Sequence, residues 1–186
     1  MNKKGFTLVE LLAVLVVLGI VVGITIPSVN GIIKSSKAKS EEAFVETIKD
    51  AMDIYLSGNE KRNLDYSTPC GEYEVATISF QEVIDSPYKP INTGSLMNPG
   101  NDLFCTGNNE EINDKHEIKT QVTIYRNPTT HVYYYKINKS DFWGVNNITD
   151  KNGNFMVGDA TKSCFEYTND DLYISNLENP EDITCS

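Results

Sequence analysis

From Phe6 to Ile26 the chain is apolar apart from isolated Thr and Gly positions and one charge, Glu10. As a helix this run of about 21 residues is roughly 32 Å long, enough to cross a bilayer core. Pro27 follows, and the pattern then changes. Phe44, Ile48, Ala51, Met52 and Tyr55 recur at helical spacing, while Lys37, Glu41, Glu42, Glu46, Lys49 and Asp50 are expected to face water. One long helix is therefore predicted over 6–57, with a membrane-spanning half at 6–26 and an amphipathic half that packs on a globular domain. Gly19, Gly23 and Pro27 are its expected flexible points. Pro27 lacks the N–H for one helical bond and its ring crowds the preceding turn, so a kink or local melting is expected there. Gly58 is a helix stop.

Beyond the helix, 58–186 reads as a head domain. Pro69, Pro87, Pro90 and Pro99 prevent any long element up to about residue 115, though Glu74 to Ile84 has room for a short strand or helix. The clearest β signal is a hairpin. Val122 to Tyr125 is one strand, Asn127-Pro128-Thr129-Thr130 the turn, and Val132 to Tyr135 the return. Ser163 to Tyr167 is a third candidate strand. Asn146 to Asp159 and Asn169 to the end read as loops. The fold class is α+β, a long helix packed on an antiparallel sheet.

Composition adds three constraints. The 186 residues carry 26 acidic and 16 basic side chains, for a net charge of -10, which matches nucleic acid phosphates poorly. No nucleic acid partner is expected. Cys70, Cys105, Cys164 and Cys185 form no CxxC pair, and an even count beyond an apolar segment reads as two disulfides in an oxidising space. The short leader Met1 to Gly5 carries Lys3 and Lys4, which favours an N-terminus inside the cell. Lys34, Lys37 and Lys39 on the other flank argue the reverse, and the cysteines favour the head outside. The apolar run is too long for a secretory signal and ends in no small-residue cleavage site.

Catalytic patterns are missing. No nucleophile elbow, P-loop, dinucleotide fingerprint or HExxH motif occurs. An enzyme is not expected, nor a cofactor or metal. His116 and His131 read as ordinary strand or loop residues. The Tyr133-Tyr134-Tyr135 run, with Phe142 and Trp143, suits sheet alternation better than a stacking platform. Asp170, Asp171, Glu178, Glu181 and Asp182 lack the spacing of a calcium loop and read as solvated acid.

Glu10 is the residue that asks for a role. A carboxylate in such a run costs about 3 kcal/mol near the membrane centre, unless it lies within a turn of the end and snorkels to the headgroups. Its surroundings, Gly5-Phe6-Thr7-Leu8-Val9-Glu10 followed by Leu11 and Leu12, closely resemble the N-terminus of type IV prepilins and pseudopilins. The resemblance is specific over about residues 1 to 30. It implies that 1–5 is a leader cut off by a prepilin peptidase between Gly5 and Phe6, and that Phe6 is then N-methylated. It also implies a pilin-like fold and a structural role. Subunits held in the cytoplasmic membrane, N-terminus inside and head outside, are extracted by the pilus assembly machinery into a helical filament of their own copies. Such an extracellular pilus supports adhesion, surface motility or aggregation. Glu10 would pair with the amine of Phe6, its own or a neighbour's. A pseudopilin of a secretion or DNA-uptake system, and a tethered binding domain that never polymerises, are the alternatives. The expected disulfides are Cys70–Cys105 and Cys164–Cys185, each stapling a local loop, the second like the C-terminal loop of many type IV pilins. The Cys164 to Cys185 segment and the Asn146 to Asp159 loop are expected to form the outward surface.

Overall fold

α1 is helical without a break from Leu8 to Ser57. The computed structural model describes residues 7–91, 96–107, 118–146, 148–149, 155–156, 162–167, 171–179, 183 and 185. The helix runs through Gly19, Gly23 and Pro27 without local melting. Pro27 deletes one donor from a long ladder, and the flanking turns carry the helix through. The helix ends where Gly58 begins. A Cβ there would lie 2.0 Å from the Tyr88 ring, so only glycine admits the tyrosine, whose hydroxyl accepts from Asn59 N–H at 3.0 Å.

Two compact units divide the chain, Met1–Ser36 and Lys37–Ser186. The second holds the amphipathic half of α1 and, among the described residues, eleven strands. β1 (Thr68–Cys70), β2 (Tyr73–Ser79), β5 (Gln121–Arg126), β6 (Tyr133–Asn138) and β11 (Tyr173–Ser175) form an antiparallel sheet in the order β1-β2-β5-β6-β11. A second sheet has the order β10-β7-β4-β3, from β3 (Met97–Asn98), β4 (Leu103–Gly107), β7 (Trp143–Asn146) and β10 (Lys162–Ser163). β8 (Ile148–Thr149) pairs with β9 (Phe155–Met156). α2 (Phe80–Asp85) directly follows β2, and Glu82 accepts from the Ser79 N–H at 3.1 Å in a capping box. Glu74 to Ile84 thus supplies both a strand and a helix.

Phe44, Ile48, Ala51, Met52, Tyr55 and Leu56 of α1 share one core with Ile78, Val122, Ile124, Tyr135, Ile137 and Ile174 of the five-stranded sheet. Each such side chain contributes roughly 1.5–3 kcal/mol of transfer free energy. The tyrosine run alternates as a strand requires. Tyr135 enters this core, while Tyr134 lies on the other face and meets Tyr73 edge-on at 5.9 Å. β11 lies where a loop was expected. Ile174 gives this three-residue stretch a fully buried anchor, and Asn176 Oδ1 accepts from the Tyr135 N–H at 2.9 Å.

Two expectations need correction. Glu41 does not face water but is fully buried. It lies one turn before Phe44 on the core stripe, and its carboxylate accepts from the Glu166 N–H at 3.1 Å and the Tyr167 N–H at 2.9 Å. Gly100 makes room for it, since a Cβ there would lie 2.4 Å from Glu41 Cγ. Beside it, buried Asn98 donates to the Cys164 carbonyl at 2.6 Å and accepts from Gly100 N–H at 2.8 Å. One carboxylate thereby ties α1 to the loop after β10.

The disulfides are Cys70–Cys185 and Cys105–Cys164, not Cys70–Cys105 and Cys164–Cys185. Sheet membership decides the pairing. Cys70 ends β1 in one sheet, and Cys105 lies on β4 in the other. Cys105 and Lys162 both register against Gly144 of β7, so Cys105–Cys164 joins the two sides of that strand, with Cα atoms 5.9 Å apart. Cys185 reaches Cys70 at a Cα separation of 4.8 Å, and this bridge joins Val75, Tyr125 and Ile183 in a second small core. In the chain-entropy account the closed loops, separated by 115 and 59 residues, contribute about 5 and about 4 kcal/mol.

Non-reducing peptide mapping is expected to recover Cys70 joined to Cys185 and Cys105 joined to Cys164. Replacing Cys70 and Cys185 together by Ser should lower stability by up to about 5 kcal/mol in a denaturant titration. A Cys70–Cys105 peptide would refute the arrangement.

Glu41→Ala strands two part-buried backbone donors and should cost about 2–4 kcal/mol, toward the low end of about 1–3 kcal/mol for each. Exposed Glu42→Ala next to it should stay within about 0.5 kcal/mol. Thermal unfolding of the two variants side by side checks this, and equal melting temperatures would refute the role of Glu41.

Candidate functional site

The first turn of α1 is built by its own sequence. Thr7 precedes the helix and Glu10 is its third residue, the T-x-x-E spacing of a capping box. Glu10 Oε2 accepts from the Thr7 N–H at 2.9 Å and from Thr7 Oγ1 at 2.8 Å. In return Thr7 Oγ1 accepts from the Glu10 N–H at 3.3 Å, and the Leu11 N–H donates to the Thr7 carbonyl at 3.2 Å. The carboxylate therefore satisfies donors that a helix start leaves open, and its charge stands at the positive end of the helix dipole. Sequence reasoning weighed Glu10 as a charge in an apolar run and overlooked this spacing, although Thr7-Leu8-Val9-Glu10 displays it. Among the described residues the cap uses Oε2 alone, so Oε1 is open to a second partner.

After the cap comes apolar surface on every side. The large apolar residues from Leu8 to Val22 are 49–79% exposed, with no polar face between them. A helix of this kind is stable only when something apolar surrounds it. Gly19 and Gly23 leave open space where a Cβ would stand, so another surface can approach the backbone closely at both. Among the described residues no helix is long and apolar enough to cross a membrane. Gly5, Phe6 and the rest of the leader lie outside the described residues.

A further concave feature lies in the head. An open cavity of about 630 Å³ is lined by Lys61, Arg62, Glu74, Arg126, Pro128, His131 and Tyr133. It stands at the turn end of the β5–β6 hairpin. There Asn127 Oδ1 accepts from the Thr129 and Thr130 N–H groups at 3.0 and 2.9 Å, and His131 takes a left-handed φ of 58°. Glu74 accepts from Arg126 Nε at 2.9 Å and also from its Nη2.

Among the described residues no group of three or more His, Cys, Asp or Glu gathers to hold a metal ion. His116, Asp170, Glu181, Asp182 and most of Asn146 to Asp159 lie outside the described residues. The expected outward surface is partly engaged in the fold, since Glu41 holds the Glu166 and Tyr167 amides and β11 completes the sheet.

Comparison with known proteins bears on the first turn and the apolar run. No curated protein and no solved structure matches the chain. The family model described as the prokaryotic N-terminal methylation motif matches residues 1–26. That match covers the leader, the Thr7–Glu10 cap and the apolar surface in one stretch. Over residues 1–26 this chain carries the leader signature of the type IV prepilins.

Proposed function

We propose that this protein is a structural subunit of a type IV pilus filament. The observation that carries the reading is the all-round apolar surface of α1 from Leu8 to Val22, placed directly behind a capped first turn and a methylation motif. Residues 6–26 lie in the cytoplasmic membrane before assembly, N-terminus inside and head outside, and in the centre of an extracellular filament afterwards. Moving such a helix from lipid into a bundle of its own copies exchanges one apolar surrounding for another. Packing and a single polar contact then suffice to direct assembly. A prepilin peptidase cuts between Gly5 and Phe6, the new amine is methylated, and that cation pairs with Glu10. Pairing matters because an uncompensated charge is costly in a low-dielectric core.

Processing has a direct test. Intact mass of the mature protein should begin at N-methylated Phe6, and Gly5→Leu should leave the leader attached. Filament-associated protein that retains Met1 would overturn the reading. A pseudopilus would appear as short periplasm-spanning assemblies without sheared surface filaments, and a tethered domain as processed or unprocessed monomer alone.

Glu10 has two roles to separate, cap and charge partner. Glu10→Gln keeps an oxygen for the Thr7 donors but removes the charge. It should leave helix content unchanged by circular dichroism, since one N-cap contact is typically worth about 1 kcal/mol and is largely retained. It should cut the yield of sheared filaments about tenfold, as expected for about 1.4 kcal/mol lost from a contact. Wild-type filament yield from this variant would leave Glu10 with the cap alone.

A further inference from the structure

The chain has only two arginines, Arg62 and Arg126, and both line the same cavity. They are 64 positions apart in sequence, one in the turn after α1 and the other at the end of β5. Fourteen of the 16 basic residues are lysines, so this convergence of guanidinium groups is specific to one place. Arginine differs from lysine in presenting a rigid planar fork that matches a carboxylate with two parallel hydrogen bonds.

The cavity is a built structure. Arg126 stands over the Tyr66 ring at 4.1 Å while Glu74 grips its guanidinium. Tyr66 lies 6.3 Å from Tyr133, and Lys61 Nζ stands over the Tyr133 ring at 4.8 Å. The Tyr66 hydroxyl donates to the Lys61 carbonyl at 2.8 Å, and Lys61 Nζ donates to the Leu56 carbonyl. Cations and aromatic rings thus alternate along one wall. Three cations face one carboxylate, and that carboxylate is already committed to Arg126. Among the described residues no carboxylate lies at ion-pair distance from Arg62. Burial first, and then the charge of Arg62, hold the Lys61 ammonium below its usual range. The cavity therefore has an excess of positive charge inside a protein of net charge -10.

The complementary feature lies on α1. Glu42, Glu46, Asp50 and Asp53 follow one another at spacings of four, four and three residues, and all are exposed. They form an acidic ridge on the helix face away from the core stripe. Partial loss of hydration, and then Asp50 and Glu46, push the Asp53 carboxyl up. Burial first, and then Asp53, Glu46 and Asp50, push up the Tyr135 phenol, whose buried hydroxyl has no hydrogen-bond partner. The ridge has an excess of negative charge just as the cavity has an excess of positive charge.

We propose that the Arg62–Arg126 cavity is an oxyanion site that receives a carboxylate from the Glu42–Glu46–Asp50–Asp53 ridge of a second copy of this chain. The inference rests on the filament reading above and adds to it a specific contact between heads. Copies of a chain with net charge -10 repel at long range, so close stacking needs a place where opposite charges meet. Cavity and ridge are different patches, so the contact is heterologous. A heterologous contact that does not close a ring propagates as an open helix. The rim of the cavity is open to solvent, so the contact weakens as salt rises.

Charge exchange in the full-length chain tests this. Arg62→Glu alters the cavity, and Glu46→Lys with Asp50→Lys alters the ridge. Each should lower the yield of sheared filaments at least about fivefold, the scale of one modest contact. A chain carrying all three substitutions sets a carboxylate at position 62 against ammonium groups at positions 46 and 50, and should recover at least half of the wild-type yield. Purified full-length chain in neutral detergent micelles gives a second reading by sedimentation velocity. Self-association should fall between roughly 50 mM and roughly 500 mM salt, as the Debye length drops from above 10 Å to about 4 Å. The same variants should remove and restore it. Wild-type filaments with no loss in either altered chain would overturn the cavity contact and leave the filament reading standing. No wild-type filaments, together with salt-sensitive and charge-reversible self-association, would overturn the filament reading and keep the contact. Loss in the cavity variant alone, or a combined variant no better than its parts, would overturn the second copy as the occupant.

Discussion

The stripe of Phe44, Ile48, Ala51, Met52 and Tyr55 holds the second half of α1 against the five-stranded sheet, and the head is organised around that contact. The sheet's inner residues, Val122, Ile124, Tyr135, Ile137 and Ile174, are buried in one core with that stripe. Without the helix the sheet would expose part of its core face, and without the sheet the helix would expose four large side chains, Phe44, Ile48, Met52 and Tyr55. A two-layer arrangement of this kind is the simplest way for a helix and a sheet to bury one face each. The stripe stops at Phe44, and the large apolar residues from Leu8 to Val22 are exposed.

Glu41 marks the point where the helix leaves the core stripe. A buried carboxylate is tolerated there because backbone amides of Glu166 and Tyr167 meet it, and because Gly100 has no side chain to displace it. The same loop carries Cys164, whose bridge to Cys105 ties β10 to β4. One polar contact and one covalent bond thus hold the second sheet against the first turn of the packed helix. The other bridge, Cys70–Cys185, fastens the end of the chain across the outer face beside Tyr73, Tyr125 and Tyr134. The two disulfides therefore fasten different cores of the head.

The two halves of α1 differ in what satisfies them. The packed half uses side chains from its own head. The apolar half, capped by Thr7 and Glu10, needs an apolar surrounding from outside, and the proposed filament supplies it from other copies. The proposed oxyanion site extends this logic to the head. A cavity with excess positive charge, where Glu74 already pairs with Arg126, and an acidic ridge with excess negative charge each suit the other on a neighbour.

What the sequence determined by itself is local in origin. The apolar run, the 3.6-residue stripe after Pro27, the hairpin at Asn127–Thr130 and the leader before Phe6 each depend on neighbours within a few positions, and periodicity reports such neighbours directly. The Thr7–Glu10 cap is equally legible in its T-x-x-E spacing. The tertiary structure decided what depends on distant segments meeting. Cys70 found Cys185 because β1 and the chain end share one face, which no loop length reveals. Glu41 reads as a surface charge until amides 125 and 126 residues away arrive to bind it. β11 is three residues long, too short for a pattern, and exists because β6 offered it an edge. Arg62 and Arg126 became one site only when the turn after α1 and the end of β5 were brought together. Side-chain order along the chain encodes each element, but which elements face each other is settled by the burial of all their apolar faces at once.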